Sequence, residues 1–387
     1  MRRVYLDHNA TSPLRPEAVR AMREVLEGTA GNPSSLHAEG RAARRIVEHA
    51  RERVAALLGL APRDVIFTSG GSEAISAAVR GVCEKAPAGR RRIVVSSVEH
   101  SAVLDVAAAM SRRGFEVDPV PCSREGKVEA AAFVRRLDDD VAIAALQWAN
   151  NETGVLQPVE EVARACAAAG IPLLVDAVQA AGKMVLDPQR AETGLMAISG
   201  HKLGGPQGSG ALVVRDGVAL APLICGGAQE RRRRGGTEAV ALLAGFGAAA
   251  EAAGASQKEE AARLLRLRVR IESRLRDRFE GVEIHGAGTS RLPQTVNFSL
   301  PGVPGEMLAI ALDVAGFSVS TGSACAAGSV KPSHVIRAMG FGEDEAREAV
   351  RVSLGWDSTD DGVERFLEAL APIVEQVRRG LDVRRAP

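Results

Sequence analysis

Residues 171–179 read Ile171-Pro172-Leu173-Leu174-Val175-Asp176-Ala177-Val178-Gln179, an apolar run that stops on a carboxylate. A strand that is apolar on both faces belongs inside a sheet covered on two sides, the habit of parallel strands. Working outward, similar runs recur at Val65–Thr68, Ile93–Ser97, Phe115–Val120, Val141–Leu146, Met196–Ser199 and Ala211–Val214. Between most of them lie alanine-rich helical stretches: Ser101–Arg113, Glu129–Leu137 and Val159–Ala169. Upstream, Ala42, Ala43, Ile46, Val47, Ala50, Val54, Leu57 and Leu58 follow helical spacing up to Gly59. Parallel crossovers need a helix-length connection, so this alternation predicts an α/β fold. Its mainly parallel seven-stranded sheet is flanked by helices, with room for one antiparallel strand. Ligands of such sheets bind beyond the carboxyl ends of the strands. Polar residues collect there: Glu99-His100, Asn150-Asn151, Asp176 with Gln179, and His201-Lys202.

After Gly254 the pattern changes to a charged helix over Gln257–Phe279, the expected bridge to a second region. Short segments at Thr295–Ser299 and Phe317–Ser320 then alternate with helices near Glu306–Ala315, Ser333–Met339 and Asp360–Arg379. The expected division is a large domain over 15–256 and a smaller α+β domain from 1–14 with 257–387.

The chain has 387 residues, with 49 Lys plus Arg against 48 Asp plus Glu and a net charge of +1. A balance this even disfavours a general nucleic-acid or anionic-membrane surface, since both need basic excess. Recognition of one specific tRNA stays open. The start, Met1 to His8, meets a carboxylate before any apolar run develops, so no signal peptide is read. No apolar stretch approaches the roughly 18–20 residues a membrane helix needs. A soluble, cytoplasmic protein is expected.

Five cysteines, scattered and odd in number, disfavour a disulfide framework and a zinc site. Cys166 and Cys83 suit burial as small hydrophobes. Cys325 does not, because it lies among small residues, Ser320-Thr321-Gly322-Ser323-Ala324-Cys325-Ala326-Ala327-Gly328-Ser329, where a mobile loop is expected. Lysine is scarce: Lys85, Lys127, Lys183, Lys202, Lys258 and Lys331 stand against 43 arginines. In Ser199-Gly200-His201-Lys202 a lysine ends a strand beside a glycine-rich turn, where its amine suits Schiff-base chemistry. The bland alternative is a surface lysine in a loop. Asp176 suits pairing with a protonated pyridine nitrogen or, equally, a helix N-cap. Thr68-Ser69-Gly70-Gly71-Ser72-Glu73, between strand and helix, suits a phosphate, although such turns also arise for steric reasons. His100 reads as a cap or as a member of the same rim. Arg231 to Arg234 reads as a solvated charge run.

Together and in this order, these signals resemble the cysteine desulfurases of the class V aminotransferase group, and most closely the type serving nitrogenase maturation and iron–sulfur assembly. The resemblance runs from Tyr5-Leu6-Asp7-His8-Asn9-Ala10-Thr11 through Gly31 to Ser35, Thr68 to Glu73, Glu99-His100, Asn150 to Gly154, Val175 to Gln179, Ser199 to Lys202, Gln229-Glu230-Arg231 and Gly236-Thr237-Glu238. It continues to Ser320–Cys325 and Arg351-Val352-Ser353-Leu354-Gly355, and so spans essentially the whole chain. It implies the fold type I of pyridoxal 5'-phosphate enzymes and a homodimer. Lys202 would hold the cofactor as an imine, Asp176 pair with the ring nitrogen, His100 stack and relay protons, and Gln179 bond the phenolic oxygen. Gly71, Ser72, Ser199 and His201 would hold the phosphate, with Thr237 reaching from the second subunit. Asn32, Asn151 and Arg351 would bind the carboxylate of L-cysteine. Cys325 would accept its sulfur as a persulfide and pass it to an iron–sulfur scaffold or a thiolation enzyme. No metal, membrane or direct nucleic-acid partner is implied.

Some positions depart from the family pattern: Gly71-Ser72 where Ala-Thr is frequent, Gln147-Trp148 ahead of the paired asparagines, and Trp356-Asp357 after Leu354-Gly355. These touch the acceptor and fine substrate contacts. Rival readings are selenocysteine or cystine cleavage, transamination, and a non-enzymatic sulfur-carrier or interaction subunit.

Overall fold

The computed structural model describes residues 3–28, 31–188, 192–321 and 332–385, with side chains to residue 381. In chain order the strands are β1 (Val4–Tyr5), β2 (Val65–Thr68), β3 (Arg92–Ser96), β4 (Glu116–Val120), β5 (Val141–Gln147), β6 (Leu173–Asp176) and β7 (Leu195–Ser199). They continue with β8 (Gly210–Val214), β9 (Glu283–Ile284), β10 (Thr295–Ser299), β11 (Phe317–Ser318), β12 (Ser320–Thr321) and β13 (Val350–Ser353). The helices are α1 (Pro16–Gly28), α2 (Ala38–Leu58), α3 (Gly71–Lys85), α4 (Ser101–Ser111), α5 (Ala130–Val134), α6 (Val159–Ala168), α7 (Val240–Arg278), α8 (Gly305–Val314), α9 (His334–Ala338), α10 (Glu343–Glu348) and α11 (Asp360–Arg385).

All seven expected strands form one sheet, in the order β2-β8-β7-β6-β5-β3-β4. It is parallel except for β8, which runs antiparallel to both β2 and β7. Apart from the edge strand β4, successive apolar residues of the strands enter opposite cores. Phe67, Val94, Leu146, Val175 and Ile198 pack with the α2 residues Val47, Val54 and Leu58, while Ile66, Val95, Ile143, Leu174 and Leu212 pack with Ile75 and Val79 of α3. Burying each such aliphatic side chain stabilises by about 1.5–3 kcal/mol before chain entropy is counted. α2 ends as its spacing predicts. Gly59 takes φ 65°, and its N–H caps the Ala55 and Ala56 carbonyls.

A second sheet, β12-β13-β10-β9, is antiparallel throughout. Its period-2 alternation sends Val296, Phe298, Val350 and Val352 into a separate core with Leu6, Leu264, Ile271, Leu308 and Phe366. The opposite face carries Thr295, Asn297, Arg351 and Ser353, all buried. The expected strand over Phe317–Ser320 is divided: β11 pairs in parallel with β1, and β12 pairs with β13.

One boundary is corrected. The expected helix over 257–279 begins at Val240, giving a continuous helix of 39 residues. Its first half is buried nearly all round, and Gly245 and Gly247 let it approach Met22 and Ala50 closely. That half therefore lacks the polar stripe that betrays an amphipathic helix. Leu243, Phe246 and Ala250 of α7 belong to the first core, and Leu264, Leu267 and Ile271 to the one around the second sheet. Cys83 and Cys166 are buried, as expected. Among the described residues no helix is long and apolar enough to cross a membrane.

Candidate active site

The carboxyl ends of the central strands open on a cavity of about 310 Å³. Each wall follows from one strand. β2 runs into the turn before α3, whose N-cap Gly70 offers no side-chain cap to the first N–H groups. Gly71 packs closely there: a Cβ would stand 2.8 Å from Val178 Cγ2, so that side chain would have to shift to admit one. Ser72 follows it into the cavity wall. β3 leads to His100, whose Nδ1 accepts the Ala102 N–H at 3.1 Å and so caps α4. Cap and rim residue are thus one histidine.

β5 delivers Gln147 and then Asn151 to the lining. β6 ends on Asp176, whose Oδ1 accepts the Val178 N–H at 2.9 Å. A turn rather than a helix follows it, so the capping alternative becomes a local side-chain turn. β7 ends on Ser199, and the short 3-10 turn Gly200–Lys202 presents His201 and Lys202. Lys202 Nζ donates to the carbonyls of Asn9 at 2.5 Å and Ala10 at 2.7 Å.

Segment 7–15 threads between the two sheets. Asn9 N donates to Ser353 Oγ at 2.9 Å, and its Nδ2 donates to Thr295 Oγ1 at 2.9 Å and to the Asn151 carbonyl at 3.1 Å. Ser12 N and Arg15 N donate to the His201 and Gly204 carbonyls. His8 lies between Ser12 Oγ, 3.0 Å from Nδ1, and Asp357 Oδ1, 2.9 Å from Nε2. Trp356 Nε1 donates to the Pro13 carbonyl at 3.0 Å. The unusual pair Trp356-Asp357 therefore fastens this segment, while Gln147 alone of the unusual pair Gln147-Trp148 reaches the cavity. From the second sheet, Arg351 donates to Asp7 Oδ1 at 2.8 Å and to the Asn151 carbonyl at 3.0 Å.

The lining thus brings together Gly71, Ser72, His100, Asn151, Asp176, Gln179, Ser199, His201, Lys202 and Arg351. Asn32 and Thr237 are exposed and do not line it, and Cys325 lies outside the described residues. Asp7, Asn9 and Gln147 were given no role from sequence. Their signal was faint: a polar run directly after β1 and a polar end to the apolar β5.

Burial pushes the Asp176 carboxyl up, against His100, the Val178 N–H and Lys202, which favour its charge. Burial holds the His100 imidazole below its usual range, with Asp176 opposing and Lys202 assisting. His201 is lowered to about 4 by burial and then by Lys202 and Lys183. Both rings are therefore neutral near pH 7. Glu99, fully buried behind the rim, is raised to about 8 by burial despite hydrogen bonds from Ser96 and the Gln147 N–H.

These residues fit pyridoxal 5'-phosphate. An uncapped helix N-terminus with two hydroxyls suits its phosphate. A buried carboxylate suits its ring nitrogen, and an amine stands ready for its aldehyde. Asn151 Oδ1 and Arg351 Nε are buried polar atoms without hydrogen-bond partners on the same wall, room for a further polar ligand.

Residues 4–366 match the family model for class-V aminotransferases. The chain is 42% identical over 382 residues to an IscS-like cysteine desulfurase of Mycobacterium tuberculosis, covering 97% of each. It is 43% identical over 380 residues to a cysteine desulfurase of Cereibacter sphaeroides, covering 98% of this chain and 97% of that one. Among solved structures, a NifS-like protein aligns at 34% identity with a TM-score of 0.90, covering 96% of this chain and 99% of its own. SspA, solved in complex with cysteine, aligns at 30% identity with a TM-score of 0.80, covering 91% and 98%. A Lys-Asp-His rim on a seven-stranded sheet and a family match over nearly all of its length lead to one assignment: the chain belongs to the class-V aminotransferase family.

Proposed function

We propose that this protein is a pyridoxal 5'-phosphate-dependent cysteine desulfurase, which moves sulfur from L-cysteine onto Cys325 and releases L-alanine. The observation that carries the reading is the convergence of Lys202, Asp176, His100 and the Gly71-Ser72 helix terminus on one cavity. The names of its relatives, and the cysteine bound in one of them, support the substrate.

Pyridoxal 5'-phosphate, when bound, supplies an electron sink for charge released at an amino acid's carbon framework. Lys202 would hold it covalently, and Asp176 would pair with its ring nitrogen. Gln179 would bond its phenolic oxygen, while Gly71, Ser72, Ser199 and His201 would hold its phosphate. Neutral His100, its Nδ1 taken by the Ala102 N–H, carries its proton on Nε2 and relays a proton there by giving it up and taking it back. Asn151 and Arg351, on the cavity wall, bind the substrate carboxylate, a planar anion that suits a guanidinium, and Asn32, exposed and off that wall, is the further contact the resemblance implies. The thiolate of Cys325 attacks the substrate sulfur. An S–S bond forms, the C–S bond breaks with its electron pair going to carbon, and protonation there completes alanine. Cys325 keeps the persulfide for an acceptor protein, an iron–sulfur scaffold or a thiolation enzyme. The working unit is a cytoplasmic homodimer in which exposed Thr237 reaches the partner's phosphate. The large domain spans 15–256 and the small one 1–14 with 257–387.

Mass spectrometry after incubation with cysteine tests the reading. One added sulfur is expected on the peptide containing Cys325. Cys325→Ser should lose desulfuration while retaining the Lys202-linked cofactor absorbance, and full turnover in that variant would instead indicate a lyase.

A further inference from the structure

Of the six lysines, a second one is drawn into this site. Lys183 lies in the turn after β6, and its Nζ donates to Gln179 Oε1 at 2.9 Å. The other end of that amide, Nε2, donates to the Asn9 carbonyl at 2.9 Å. The same carbonyl accepts from Lys202 Nζ. An unbroken chain of hydrogen bonds therefore joins the two lysines through Gln179 and Asn9. They also share the wall of a second, small cavity of about 30 Å³, with His8, Ser12, Arg15 and Glu260.

The chemistry at each end of the Gln179 amide selects the same orientation. A lysine amine donates to an amide oxygen whether or not it carries its third proton, and a carbonyl only accepts. Burial, then the charges of Lys202 and Arg351, hold the Lys183 amine well below the usual lysine range. His201 faces both lysines as well. Without Lys183, the buried oxygen of Gln179 would have to find another donor. The Lys202 amine already donates to the Asn9 carbonyl that the other end of the amide uses.

We propose that Lys183 is a positioning residue. It holds Gln179 Oε1 so that the cavity meets an amide donor, and Lys202 meets no competing amide oxygen. The inference rests on the cofactor reading above. It assigns to Lys183 a part in setting the proton affinity of the Lys202–cofactor linkage. A donor facing the phenolic oxygen favours loss of that proton, and an acceptor there opposes it.

The test is a spectrophotometric pH titration of purified holoenzyme. Lys183→Met should raise the midpoint of the Lys202-linked cofactor absorbance change by about one pH unit, the size expected for one charge-assisted hydrogen bond. Lys183→Gln, which restores an N–H donor, should shift it less and serves if the methionine variant fails to fold. In a Gln179→Ala background the Lys183→Met shift should vanish. An unshifted midpoint, a downward shift, or an equal shift without Gln179 would overturn the proposal. A wild-type protein with no such absorbance would overturn the cofactor reading itself, and the two failures are thereby told apart.

Discussion

The seven-stranded sheet and the four-stranded sheet furnish the same cavity by different means. The first delivers from strand ends: Gly71-Ser72 after β2, His100 after β3, Asp176 closing β6 and Lys202 after β7. The second delivers from within a strand. Arg351 and Ser353 of β13 face inward because Asn297 stands opposite Arg351 and Thr295 opposite Ser353. Arg351 lines the cavity directly and is held there by Asp7, while Ser353 acts through Asn9 of the threaded segment. A strand-end residue is fixed by its own few neighbours, whereas a mid-strand residue is fixed by register and by partners some 344 positions away. Changes at the rim should therefore cost chemistry, and changes along segment 7–15 and its supports should cost fold and chemistry together.

The largest expected effect is at the rim. Asp176→Ala should lower cysteine turnover by about 10²–10³-fold, the usual loss for one preorganised charge in a closed site. Its melting temperature should stay level or rise, because the carboxylate is buried against its own preference for water. A fall in melting temperature would break the comparison.

Gly355→Ala probes the other side. A Cβ there would stand 1.9 Å from His8 Nδ1. The ring cannot yield, being held by Ser12 and Asp357 and lying edge-on to Tyr5. Destabilisation of about 1–3 kcal/mol is expected in denaturant titration. Turnover should fall as well, because Asn9 and Ala10, which hold Lys202, follow His8 directly.

The smallest effect sharpens the same contrast by pH. Burial pushes the Asp357 carboxyl up, but hydrogen bonding and charge from His8 outweigh it and hold the group below its usual 3.8. Its contribution is present above that value and is lost as pH falls through the lower folded one. The side chain is 35% exposed, so solvent screening limits the contribution to at most about 1 kcal/mol. Asp357→Asn should flatten acid unfolding below about pH 4, measured by circular dichroism, and leave the slope near neutrality unchanged.

The division between strand-end and mid-strand placement also marks what could be read from the sequence. All seven central strands were legible: six are short apolar runs bounded by polar or glycine residues, and the edge strand β4, with Glu116 and Asp118, alternates instead. Asp176, His100 and Lys202 were legible because each closes or follows such a run. The anchoring roles of Asp7, Asn9, Trp356 and Asp357 were not, since their partners lie far along the chain and no local pattern announces them. The first half of α7 was illegible for a different reason: packed on nearly every side, it shows no polar face.

The pairing of β1 with β11 has a consequence for synthesis. Val4 finds its neighbour at Phe317, which at ribosomal rates of about 5–20 residues per second emerges roughly a quarter of a minute to a minute later. Until then the first strand lacks its partner, although most of the larger sheet, and the His201 and Gly204 carbonyls that receive the loop behind it, are already available. A nascent chain stalled before residue 317 should thus hold a formed sheet and an unfinished pocket, whose Arg351 wall is still to be made.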